Sequence, residues 1–195
     1  MNRKSRVRGT TLFETLIAAS LVGLMMTYGL DILVAGTRYQ KRVEVNAELD
    51  QACLVGMSLL VRELKESTPS AILFGSNAVV FASPRDPQGG FQYDAAGRIL
   101  WQKIVCYSVE EVNGVSCLVR REESLGSIPS STVPRVVQTP IYFQQANLPS
   151  RVIASDVTTL DGLALTPVEV HLTAARPALG ARFSVTSHTR LVCQN

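Results

Sequence analysis

Arg3-Lys4-Ser5-Arg6-Val7-Arg8-Gly9-Thr10-Thr11-Leu12-Phe13-Glu14-Thr15, followed by an apolar run from Leu16 to Leu30, is the stretch whose reading decides the fold. Four basic residues precede Gly9 with no acid among them. From Leu12 to Gly36 the only charged residues are Glu14 and Asp31. A carboxylate in a membrane span costs about 2.5–3.5 kcal/mol on insertion scales and so calls for a function.

A secretory signal peptide fits the basic leader but not the other end of the segment. Ala18-Ala19-Ser20 comes too early for a cleavage site, and Leu33-Val34-Ala35 places a large residue where a small one is wanted. A plain transmembrane anchor meets a different difficulty. Leu16 to Leu30 is shorter than the roughly 20 residues a bilayer needs, and lengthening the run takes in Asp31 or Glu14. The basic leader would keep the N-terminus cytoplasmic and put the remaining chain outside.

A basic leader, a glycine, then a hydrophobic stretch with a glutamate as its fifth residue resembles the type IV prepilin signal, here Arg8-Gly9 and Glu14. The resemblance is specific from Arg6 to about Gly36. It implies cleavage between Gly9 and Thr10 by a prepilin peptidase, N-methylation of Thr10, and retention of the apolar segment as anchor. It also implies that Glu14 is an assembly residue. In a fibre core of low dielectric, the new amine of one subunit is a buried cation, and a neighbour's Glu14 can pair with it and fix axial register. The usual first residue after the cut is phenylalanine, and Thr10 departs from that.

The rest of the 195-residue chain is long enough for one domain with a core. Hydrophobic content is 46%, with part of the excess in the first 36 residues. The formal charge of +3 becomes −1 once the four basic residues of the leader are removed, so composition gives no argument for nucleic acid. From Arg38 to Ser67 the spacing Val43, Ala47, Asp50, Leu54, Met57, Val61, Leu64 predicts an amphipathic helix, widened by Cys53 and Leu60 and broken only by Asp50. Thr68-Pro69 ends it. A single helix from Thr11 to Ser67 is expected.

Beyond Pro69 the periodicity turns to two. Extended segments are expected at residues 71–74, 79–82, 98–109, 115–121, 136–143, 152–160, 168–173 and 181–192. Asn113-Gly114 predicts a hairpin turn, and residues 122–134 a polar loop. The expected fold is α+β: a cleaved leader at 1–9, a membrane and assembly helix at 10–36, an amphipathic helix at 37–67, and a β-rich domain at 68–195 whose antiparallel sheet the helix covers. This order is that of the pilin fold. The length and strand-rich body look most like the larger minor members, the J-type minor pseudopilin of type II secretion and the W-type minor pilin.

No nucleophile, zincin or phosphate-cradling motif occurs, so an enzyme is not expected, nor a cofactor. Cys106 and Cys117 flank the hairpin and are the candidate disulfide, with burial as apolar residues the alternative. His171 and His188 could meet across a terminal hairpin, but half-exposed strand histidines are the commoner case, and no metal is expected. Asp156 and Asp161 near Thr158 offer too few oxygens for calcium and read as a turn.

The expected role is a minor pilin or pseudopilin that helps to initiate or cap a fibre. Its partners would be other pilin-like subunits, the prepilin peptidase, the inner-membrane assembly machinery and lipid. It would lie in a bacterial inner membrane with its body periplasmic or extracellular, and later in a pilus or pseudopilus. The alternative is an uncleaved bitopic membrane protein whose exported domain binds a ligand or catalyses a reaction. A processed tip subunit could also carry a binding surface, with Ser124 to Pro134 as the loop to inspect.

Overall fold

Helix α1 runs over Leu12–Lys65, within two residues at each end of the single helix expected from the sequence. The structure, a computed structural model, describes residues 11–86, 88–125, 133–134 and 138–193. The chain divides into two compact units, Met1–Glu44 and Val45–Asn195.

In the first unit, every described residue is exposed. The segment is long and apolar enough to cross a membrane, judged by length and composition. Four of its serine and threonine hydroxyls bond back to the helix's own carbonyls: Thr15 donates to Leu12 at 2.8 Å, Ser20 to Ile17 at 2.8 Å, Thr27 to Leu24 at 2.8 Å and Thr37 to Val34 at 2.9 Å. Polar groups satisfied within one helix are what a medium without water demands.

In the second unit, α1 buries Leu49, Cys53, Gly56, Met57, Leu60 and Leu64. The stripe is therefore rotated by about one position from the one the spacing predicts. Leu54 and Val43 are exposed, as are Ala47 and Asp50, while Cys53 and Leu60 lie at its centre. Asp50, the one charge on the predicted stripe, was the residue that marked the phase as wrong. Leu49, Leu60 and Leu64 are fully buried, and each such side chain contributes roughly 1.5–3 kcal/mol of burial free energy.

The β part forms two antiparallel sheets rather than one. The first has five strands in sequence order: β1 Ile72–Gly75, β2 Ala78–Ser83, β3 Lys103–Val112, β4 Val115–Ser124 and β5 Ser150–Ser155. The second contains β6 Val157–Leu163, β7 Val168–Ala178 and β8 Ala181–Leu191, also in order. The segment 152–160, read as one strand, is two, because Asp156 between them takes φ 60° and the chain leaves β4 for β7 there. Asn113-Gly114 forms the expected tight turn, with φ of 53° and 79°. The last hairpin is tighter than expected. Leu179 and Gly180, at φ 51° and 75°, are the only residues between β7 and β8.

Residues 138–143, the described part of the segment 136–143, do not form the expected strand. Residues 135–137 lie outside the described set, and Pro140–Gln145 is a short helix, α2. Pro140 opens it from an extended Thr139, and a proline costs nothing at a first helical turn, where its missing N–H has no partner to lose. Phe143 of α2 packs on Val80, Ile104 and Cys106, whereas Val79, Phe81, Val105 and Tyr107 face the core shared by α1 and the second sheet. All six residues of β2 are consequently buried, which is why Ala78-Val79-Val80-Phe81-Ala82 reads as a continuous apolar run. Trp101 precedes β3 and is buried against Ala71 and Ala82.

One glycine marks a close contact between the sheets. A Cβ on Gly162 of β6 would lie 2.4 Å from the Glu169 carbonyl oxygen and 2.4 Å from the ring of Phe74 in β1.

Candidate functional site

The start of α1 is a reciprocal cap. The Thr11 backbone N–H donates to Glu14 Oε2 at 3.1 Å, and the Glu14 N–H donates to Thr11 Oγ1 at 3.3 Å. Thr11-Leu12-Phe13-Glu14 is thus a capping box, in which the first and fourth residues each satisfy a helix-terminal donor of the other. The T-x-x-E signal was readable in the sequence, and it gives Glu14 a local partner as well as a place at the helix's positive end. Gly9 and Thr10 lie outside the described residues.

Cys106 and Cys117, the candidate disulfide, are not bonded, and the alternative of burial as apolar residues is what the structure has. Both are buried free thiols, and so is Cys53, while Cys193 is free and half-buried. In the β3–β4 register, Cys106 faces Arg121 and Cys117 faces Glu110. Four rungs of about 3.3 Å separate them, beyond the ~7 Å that a disulfide tolerates between Cα atoms. Burial pushes the Cys106 thiol up to about 12, against the pull of the Arg121 charge. A thiol held protonated in this way is a poor nucleophile.

Two carboxylates of α1, and Glu66 just beyond its end, are held by arginines of the β part. Glu48 pairs with Arg176 at 2.5 Å, Glu63 with Arg120 at 3.2 Å and Glu66 with Arg85 at 2.5 Å. Arg120 also reaches Glu122 at 2.9 Å. Burial works against the Arg120 charge, and Glu63 with Glu122 outweighs it, so this guanidinium holds its proton more tightly than usual. Which cations these acids meet is not set by the local pattern of the helix.

Arg176 also grips Asp156 through two hydrogen bonds, Nε to Oδ1 at 3.1 Å and Nη2 to Oδ2 at 2.6 Å. These bonds hold the Asp156 carboxyl below its ordinary value, with burial opposing them. Asp156 is the corner residue between β5 and β6, so the turn reading holds there, but Thr158 and Asp161 lie in strand β6 rather than in a turn, with Asp161 exposed. The Asp156–Arg176 pair separates two open clefts. The larger, about 850 Å³, lies among the β3–β4 turn, Thr158 and Arg182. The smaller, about 450 Å³, lies among Glu48, Gln51, Val55 and Ile153. Neither lining contains a histidine or cysteine, and the acid they share is already neutralised by arginine. That arrangement is a clamp in which Arg176 ties Glu48 of α1 to the corner at Asp156.

His171 and His188 are brought together. They face each other in the β7–β8 register, with ring centroids 4.3 Å apart. The Ser124 to Pro134 loop lies largely outside the described residues.

No family model matches this chain, and no curated protein or solved structure matches it significantly. What stands is the class of molecule: an α+β chain whose long N-terminal helix is apolar and exposed in its first part and packed on antiparallel sheets in its second.

Proposed function

We propose that the protein is a minor pilin or pseudopilin, a structural subunit of a pilus or of a type II secretion pseudopilus. It is inserted in the bacterial inner membrane with its N-terminus cytoplasmic, cut by a prepilin peptidase between Gly9 and Thr10, and methylated at Thr10. It then joins other pilin-like subunits through residues 10–36. The observation that carries this reading is Arg8-Gly9 followed by Glu14 as the fifth residue of an apolar helix.

Three structural features support it. The first part of α1 is exposed throughout and apolar, and its Thr15, Ser20 and Thr27 hydroxyls are satisfied within the helix. That surface suits lipid before assembly and neighbouring helices after it. The glycines at 23, 29 and 36 have nothing within 4 Å of where a Cβ would stand. Packing within the chain does not require them, whereas close approach of a second helix would. Finally, the acid shared by the two clefts, Asp156, is satisfied within the chain by Arg176, which suits a structural subunit.

The test is processing. Co-expressed with a prepilin peptidase, the chain should shorten by the nine residues of its leader, and Gly9→Ala should stay at full length. A chain that keeps its leader in the presence of an active peptidase contradicts the proposal.

A further inference from the structure

The second sheet presents a compact set of metal-binding donors on its outer face. Along β7, Val168, Val170, Leu172 and Ala174 are buried, so the alternate residues Glu169, His171 and Thr173 point away from the core. On β8, His188 stands opposite His171 and Arg190 opposite Glu169. One nitrogen from each imidazole and one carboxylate oxygen of Glu169 all lie within 4.8 Å of one another. Both histidines are exposed, so neither is held in place by the core. On the other side of His171, β6 places Asp161 directly opposite it.

We propose that Glu169, His171 and His188 form a binding site for a divalent transition metal of the zinc class. Two imidazoles and one carboxylate are a borderline donor set, suited to Zn²⁺ and its neighbours. Calcium and magnesium are excluded as the preferred ion, since they want six or more oxygens or near-octahedral oxygen geometry. Bond lengths of about 2.0–2.2 Å put tetrahedral donors roughly 3.4 Å apart. The donors must therefore close by about 1.4 Å at most from their present spread, a change that rotation of exposed side chains supplies. The backbone need not move, because the register already sets the cross-strand spacing.

Three protein ligands leave a fourth position for water, as in an open zinc site. Asp161 is placed to accept a hydrogen bond from the ring nitrogen of His171 that does not bind metal, the usual arrangement around a ligating histidine. Arg190 opposes binding. It holds the Glu169 carboxylate at 2.7 Å, and that ion pair must be exchanged for the metal.

The chain has only two histidines, which makes the test clean. The full chain, purified in detergent micelles without a polyhistidine tag, is titrated with Zn²⁺ against a chromophoric chelator. Co²⁺ is used in parallel, because its visible absorption reports the coordination. One Zn²⁺ per chain is expected, unaffected by excess Ca²⁺. His171→Ala and His188→Ala should each weaken binding by at least the 10–100-fold that loss of a supporting partner costs. Arg190→Gln should tighten it, by up to about fivefold, the worth of an exposed ion pair. Thermal melting without metal should be unchanged in the histidine variants, since both side chains are exposed. Failure of Zn²⁺ to bind above the detergent blank, or equal binding by the double histidine variant, overturns the site.

Discussion

Glu14 has two distinct jobs in this account, and Glu14→Gln separates them. In the chain by itself the side chain accepts a hydrogen bond from the Thr11 N–H at 3.1 Å, and its own N–H donates to Thr11 Oγ1 at 3.3 Å. A capping box accepts glutamine as well as glutamate at its fourth position, so Glu14→Gln keeps both bonds. Glu14→Ala loses the first of them, at a cost within the range of about 0.5–2 kcal/mol for a lost cap. In the fibre the proposed partner is the methylated amine of a neighbouring subunit, and a neutral glutamine leaves that cation buried and unpaired. Removing one partner of a buried pair costs about 3–5 kcal/mol, or roughly a hundred- to several-thousand-fold in association. The assay is recovery of the subunit in sheared fibres, or its crosslinking to other pilin-like subunits, normalised to its amount in the membrane. Glu14→Gln should fall as far as Glu14→Ala, with both variants folded and processed. Incorporation of Glu14→Gln at the wild-type level would refute charge pairing and leave Glu14 as a helix cap alone.

Other outcomes follow from the β part. Gly162→Ala should destabilise by about 3 kcal/mol or more in chemical denaturation, since its Cβ would meet the Glu169 carbonyl oxygen and the Phe74 ring at 2.4 Å. Gly56→Ala should cost less than Gly162→Ala: its Cβ would meet the ends of the buried Leu172 and Leu118 at 3.0 and 3.1 Å, and the ~1 kcal/mol by which alanine favours a helix interior offsets part of that crowding. Denatured without reductant, the chain should titrate as four free thiols, whereas two would restore the Cys106–Cys117 bridge. Stability should also fall in acid. Hydrogen bonds from Arg176 lower the Asp156 carboxyl; burial raises that of Glu110, but Arg121 and Ser108 outweigh it and leave it lowered. Both contributions are complete above the ordinary carboxylate values near pH 4 and disappear as pH drops through the lower folded values. Asp156→Asn should therefore flatten the acid limb of a stability–pH curve, and an unchanged limb would contradict the clamp.

The long helix, most strands and the Asn113-Gly114 turn were legible because each rests on local periodicity or local backbone chemistry. What depended on register was not equally open. With the turn at Asn113-Gly114, position 106 must face 121, so the sequence already placed Cys106 and Cys117 on different rungs. The His171–His188 pairing required knowing that Leu179-Gly180 is a two-residue turn, and Leu179 is not a residue that announces a positive φ. The break at Asp156 follows from the competition of β4 and β7 for one stretch of chain, which no local pattern records. Thr139-Pro140 was a readable helix start, outweighed by the β-branched residues before it. The phase of α1 was readable too, had Asp50 been taken to mark the solvent side.

For the candidate site, the sequence supplied Gly9 and Glu14 with their spacing, and the structure adds the partner of Glu14 within the chain. The most direct measurement is the mass and sequence of the N-terminus of the protein extracted from membranes of a host with an active prepilin peptidase. The account predicts a chain that begins at Thr10 and carries a methyl group on its amine. A chain that begins at Met1 in that host would contradict it.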